Sequence, residues 1–208
     1  MNIEEKNTQI KSFWKWFVDN EKRIRDLLDD NAVGDRDSFI QDMDNQILEF
    51  GMFTWEIGEG IAKPFFLTVS PNGNKELMEQ SKLIMKSAPD LPDWEFNYAK
   101  PSKDWDFMFR LFDDNMIERN LNASEWKFIL GQAPCNKVKV TIEAPNIVGL
   151  DYDTQLAAGD LVVTNMLGEE CKINHVGNIE ITNDLNSQDK AAGFSIMRLK
   201  QEFETFLK

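Results

Sequence analysis

Near the N-terminus the apolar positions Ile10, Phe13, Trp14, Phe17, Ile24, Leu27 and Leu28 recur at the i, i+3, i+4, i+7 spacing of an amphipathic helix. The spacing predicts a helix over 9–30. Within it, SFWKWF (Ser12–Phe17) puts four rings into six residues. At ~100° per residue Phe13, Trp14 and Phe17 fall on the stripe, Lys15 falls away from it, and Trp16 falls on its edge. Trp16 is therefore the one ring of the four that is a candidate contact for a partner.

Further along, DDNAVGDRD reads as a linker, and Ser38 with Gln41 as a capping box for a helix carrying Phe39, Ile40, Met43, Ile47 and Phe50, stopped at Gly51. MFTWEIGEG and KPFFLTVS are aromatic and β-branched runs around a short glycine-containing loop, which predicts a hairpin. Asn74 is placed to cap a helix over KELMEQSKLIMKSA, closed by Pro89, and DWEFNYAK follows as a strand. DWDFMFRLF leads into a turn at Asp113, Asp114 and Asn115, with SEWKFILG and KVKVTIEA as further strands. In the second of these, Val138, Val140 and Ile142 alternate with Lys137, Lys139 and Thr141, so one face is buried and one wet. A buried helix over 152–167 stops at Gly168, NIEIT is a last short strand, and 190–207 is a closing amphipathic helix.

Trp105, Phe107, Phe109, Leu111 and Phe112 are dense enough to demand burial, and no hydrophilic linker separates the halves. The expected fold class is α+β: a single domain over 1–208, with a mainly antiparallel sheet covered by helices. Both halves contain hairpin, helix, strand in that order. Two ββαβ-like halves, 36–101 and 102–208, can therefore be drawn behind the N-terminal helix.

Composition narrows the function. At 208 residues, 42% hydrophobic and 11% aromatic, the chain can bury a real core. Acidic residues outnumber basic ones 36 to 23, a net charge of -13 that repels nucleic acid and anionic membranes and would draw in a basic protein partner. No apolar run approaches the ~18 residues of a membrane span and the N-terminus has no leader-like apolar region, which predicts a cytoplasmic protein. Cys135 and Cys171 lack CxxC spacing and read as reduced and inert.

Candidate chemistry is sparse. The single histidine, His175, excludes HExxH zinc sites, and the Cys171-x-x-x-His175 pair beside Glu169 and Glu170 lacks the framework of a known nucleophile motif. Asp29, Asn31, Gly34, Asp35 and Asp37 mimic a calcium loop, but Val33 and Ile40 stand where ligands are required. EIGEGIAK and SPNGNK match no phosphate-binding motif. No metal or cofactor is expected.

FWKWFVDN, LTVSPNGNKELMEQSKLIMKSAPDLPDWEFNYAKP and MLGEECKINHVGNIEI together resemble an uncharacterised family of bacterial proteins. Its recurring features are an aromatic N-terminal helix, an N-G turn, an AP.L..W.F segment and an LGE segment, spanning roughly residues 10 to 182. The resemblance implies no activity. Its recurring positions, such as Pro89, Trp94, Phe96 and Gly168, are fold-making, which suits a binding protein better than an enzyme.

Three functions follow. The first is a non-catalytic interaction protein, for example an acidic immunity or inhibitor protein against a basic partner. The second is an enzyme with a carboxylate-based site where the halves meet, with or without a divalent cation, for which Glu56, Glu59, Glu169 and His175 are the residues to inspect. The third is a ligand-binding module with an aromatic pocket lined by Trp55, Trp94, Trp105 or Trp126.

Overall fold

The helical stripe at the N-terminus becomes α1 (Ile3–Leu28), and Phe13, Trp14 and Phe17 are buried in the computed structural model. The structure describes residues 3–28, 36–186, 189 and 192–208; most of the predicted linker and of the calcium-like loop, 29–35, lies outside them. By its contacts the chain divides into two compact units, Met1–Lys100 and Pro101–Lys208, each with its own hydrophobic core.

In the first unit α1 is followed by α2 (Arg36–Leu48), β1 (Thr54–Glu59), β2 (Phe65–Ser70), α3 (Lys75–Lys86) and β3 (Trp94–Asn97). β1 and β2 pair antiparallel; the α3 crossover then carries β3 alongside β2 in parallel, for a sheet order β1-β2-β3. Trp55, Ile57, Leu67, Val69, Trp94 and Phe96 on this sheet join the rings of α1 in one cluster. Phe17 meets Trp94 edge-on at 4.9 Å, and Trp14 meets Phe96 at 4.8 Å. Trp14 Nε1 donates to the Ile84 carbonyl at 2.9 Å, tying α1 to α3 without leaving the indole N–H unsatisfied.

Asn74 caps α3 as its side chain predicts, accepting from the Glu76 and Leu77 N–H groups. The Ser38–Gln41 capping box does not form. α2 already begins at Arg36, so Ser38 lies inside its first turn, where Arg23 reaches both the Ser38 hydroxyl and Asp42. The β1–β2 turn is closed by Glu95 of β3, whose Oε1 accepts the N–H groups of Ile61, Ala62 (2.7 Å) and Lys63 (3.1 Å). Only glycine fits beneath it: a Cβ on Gly60 would overlap the Lys63 carbonyl and the Glu95 carboxylate.

The second unit opens with the two-stranded hairpin β4 (Met108–Phe112) and β5 (Glu118–Asn122). β6 (Lys127–Ala133), β7 (Lys137–Glu143), α4 (Tyr152–Leu167), α5 (Glu169–His175) and β8 (Val176–Thr182) follow. β6 and β7 are antiparallel and β8 returns parallel to β7, giving a second ββαβ with the same order and senses as the first. β9 (Phe194–Ser195) adds antiparallel to β6, and α6 (Leu199–Phe206) completes the described chain. The α+β class with mainly antiparallel pairing is thus observed. The parallel pairs are the two spanned by helical crossovers.

Four segments differ from the sequence expectation. β5 is a strand although its sequence, ERNLN, has one large apolar residue; Leu121 is its one buried residue, with Arg119 half-buried on the same face. α5 begins immediately after α4, because Gly168 (φ 80°) both ends α4 through its N–H to the Thr164 carbonyl and accepts from the Lys172 N–H. The closing helix begins only at Leu199: residues 190 and 191 lie outside the described chain, and Phe194–Ser195 is extended because it pairs with β6. Phe112, expected to be buried with its neighbours, is exposed. No helix among the described residues is long and apolar enough to cross a membrane.

Candidate functional site

The residues singled out for acid–base chemistry divide between the units. Glu56 lies on β1 and pairs with Lys100 Nζ at 2.9 Å, and Glu59 is exposed at the end of the same strand. Glu169 is the first residue of α5 and almost fully buried; His175 is the last and is exposed. Six helical steps lie between them, about 9 Å of rise, so this carboxylate and imidazole occupy opposite ends of α5. Cys171 between them is half-buried. Burial, then the Glu204 carboxylate, pushes its thiol above the ordinary range, which keeps it protonated and a poor nucleophile. Among the described residues no three His, Cys, Asp or Glu side chains gather to hold a metal.

The aromatic candidates are packing residues in large part. Trp94 and Trp126 are core, and Trp55 and Trp105 are half-buried against the two clusters. Trp16 is likewise half-buried, stacked on Phe13 at 6.3 Å. A cleft of about 320 Å³ in the second unit lies between Ile147–Gly149, Gln155 and Ile181–Asn183, and no aromatic side chain lines it.

Beside that cleft, at Val148, the surface changes character. The β4–β5 turn is built on Asp113, which is buried. Its Oδ1 accepts the N–H groups of Asn115 (3.0 Å) and Ile117 (2.9 Å), and its Oδ2 accepts Arg119 Nε (2.8 Å) and Nη2 (2.7 Å). The Ile117 N–H above all, with Arg119 and Asn115, holds this carboxyl below the usual range. Asp151 caps α4 by accepting the Thr154 N–H at 2.8 Å, and also accepts the Asp114 N–H at 3.4 Å. The Thr154 hydroxyl is the chief reason its carboxyl, too, is held low. The hairpin turn is thereby fastened to the start of α4.

On this fixed frame Phe112, Met116, Ile117, Val148 and Tyr152 are each more than half exposed. The exposed carboxylates of Asp114, Glu118 and Asp153 stand among them in sequence and on the same turn and helix start. Burying such apolar groups against another molecule is favourable by roughly 25 cal/mol per Å². The adjoining carboxylates favour cationic side chains on whatever covers them. The available signal in the sequence was the period-2 alternation Phe107, Phe109, Leu111 against Met108, Arg110, Phe112, which places Phe112 on the outer face.

No protein-family model matches the chain, and no curated protein or solved structure matches it.

Proposed function

We propose that the chain is a non-catalytic interaction protein of the bacterial cytoplasm that binds a basic protein partner, as an immunity or inhibitor protein would, through the β4–β5 turn and the start of α4. Membership of the uncharacterised bacterial family it resembles is part of this reading. The observation that carries it is the set of exposed apolar side chains at Phe112, Met116, Ile117, Val148 and Tyr152, with exposed carboxylates on the same turn and helix start. Preorganisation by Asp113 and Asp151 reduces the ordering cost of binding. The overall charge of -13 favours encounter with a cationic partner and disfavours nucleic acid. The exposed and unpaired Cys135 is in keeping with a reducing compartment.

The test is capture of host proteins on the immobilised full chain at low and moderate salt, with a Phe112→Ser/Ile117→Ser variant alongside. The expected result is a basic partner, held less tightly at moderate salt and lost by the variant. Recovery of no basic protein at either salt, or equal recovery on the variant, overturns the proposal.

A further inference from the structure

Resting on that reading, we propose how the partner is held: an extended partner segment with alternating Lys or Arg and apolar side chains adds as a strand to the outer edge of β4. The hydrogen-bond parity of the hairpin gives the edge. Asp113 N–H donates to the Ile117 carbonyl, and Ala123 N–H donates to the Phe107 carbonyl, so these are hydrogen-bonded pairs. In an antiparallel ladder such pairs alternate, which makes Phe109–Leu121 and Leu111–Arg119 the others. The N–H and C=O groups of Arg110 and Phe112 therefore point away from β5.

Among the described residues no hydrogen bond takes up these four groups, and β4 pairs with no strand but β5. The outward edge of β5 differs, for its Asn122 carbonyl accepts Asn146 Nδ2 at 2.9 Å. Edge strands are ordinarily blunted by lysine, proline or a bulge. On β4 the outer face instead carries Met108 and Phe112, both exposed, on either side of Arg110.

Charge decides the occupant. From Asp104 to Glu118 the carboxylates of Asp104, Asp106, Asp114 and Glu118 are exposed, Asp113 is neutralised by Arg119, and Arg110 is the one basic residue within those limits. An acidic or neutral strand would meet a net negative rim. A strand alternating cationic and apolar side chains can set its apolar side chains on the outer face against Met108 and Phe112 and brings positive charge to a rim whose carboxylates flank both ends of β4, while its main chain takes up the free groups of Arg110 and Phe112.

The experiment titrates the full chain into a labelled peptide of alternating valine and lysine, read by fluorescence anisotropy. Comparison peptides carry glutamate for lysine, or N-methyl groups on the residues of one edge. Arg110→Pro removes an outward N–H that no hydrogen bond of the hairpin uses, and Arg110→Ala removes the same side chain but keeps the N–H. The expected result is binding of the Val-Lys peptide to the wild type and Arg110→Ala, with a loss of about tenfold or more for Arg110→Pro and for the N-methyl peptide. The glutamate peptide should not bind. The N-methyl peptide needs no protein variant and decides the question even if Arg110→Pro fails to fold. No binding of the Val-Lys peptide, or equal binding of its N-methyl form, overturns strand addition. Salt-sensitive capture of a host partner that Phe112→Ser/Ile117→Ser abolishes would then still leave the interaction reading standing.

Discussion

Among the aromatic residues near the N-terminus, burial follows angular position around α1. Phe13, on the stripe, is 1% exposed, whereas Trp16 at its margin is half-buried and stacks on the same ring. Phe13→Ala should cost about 3–5 kcal/mol and Trp16→Ala clearly less, read as urea midpoints followed by fluorescence. Equal losses would make Trp16 a core residue and end its candidacy as a contact. A second residue-level prediction concerns Gly60. Gly60→Ala forces a methyl into the Lys63 carbonyl and the Glu95 carboxylate and should destabilise by about 2 kcal/mol or more, while Gly73→Ala finds open space and answers mainly for its φ of 76°. The carboxylates flagged from spacing alone, Glu56, Glu59 and Glu169, were visible as residues, but their surroundings were not. The Lys100 partner of Glu56 is 44 positions away in the chain, and no local pattern reports such a contact.

At the scale of elements, periodicity and capping chemistry were legible wherever local preference and tertiary demand agreed. α3 is an example, since Asn74 both prefers a cap conformation and accepts two free N–H groups there. Asn74→Ala should lower stability by about 1 kcal/mol, measurable by denaturation and by increased hydrogen exchange in the first turn. β5 was illegible because ERNLN has almost no β signal of its own; it is extended because β4 and the Asp113–Arg119 turn hold it in register. Asp113→Asn should loosen that turn, since an amide cannot accept from Arg119 and the Ile117 N–H as a carboxylate does. Faster exchange at Ile117 with α3 unaffected is the expected signature. Were exchange unchanged at both, the turn would owe its shape to something other than this carboxylate. α5 was hidden by Gly168, a residue that usually ends a helix and here also starts the next.

For the whole molecule, charge acts through carboxylates held low in the folded state, Glu95, Asp113 and Asp151 among them. Glu95 is lowered chiefly by the Lys63 N–H, Asp113 by the Ile117 N–H, and Asp151 by the Thr154 hydroxyl. On unfolding they return to ordinary values near ~4, so below about pH 5 the unfolded chain binds more protons than the folded one. Their stabilisation is complete above that range and is lost as pH falls through the folded values. The urea midpoint should accordingly drop on acidification from about pH 5, and a midpoint that rises instead would contradict the assignment. The sequence by itself determined the α+β class, the amphipathic stripe of α1, the β1–β2 hairpin and the acidic balance, because period, cap and charge are properties of neighbouring residues or of sums over the chain. Only the tertiary structure decided that the hairpin–helix–strand order closes twice with the same strand senses, that Asp113 is buried under its turn, and that Phe112 stays more than half exposed on its face. Those outcomes depend on which distant groups satisfy a backbone N–H or cover a ring, and Phe112 is left 57% exposed.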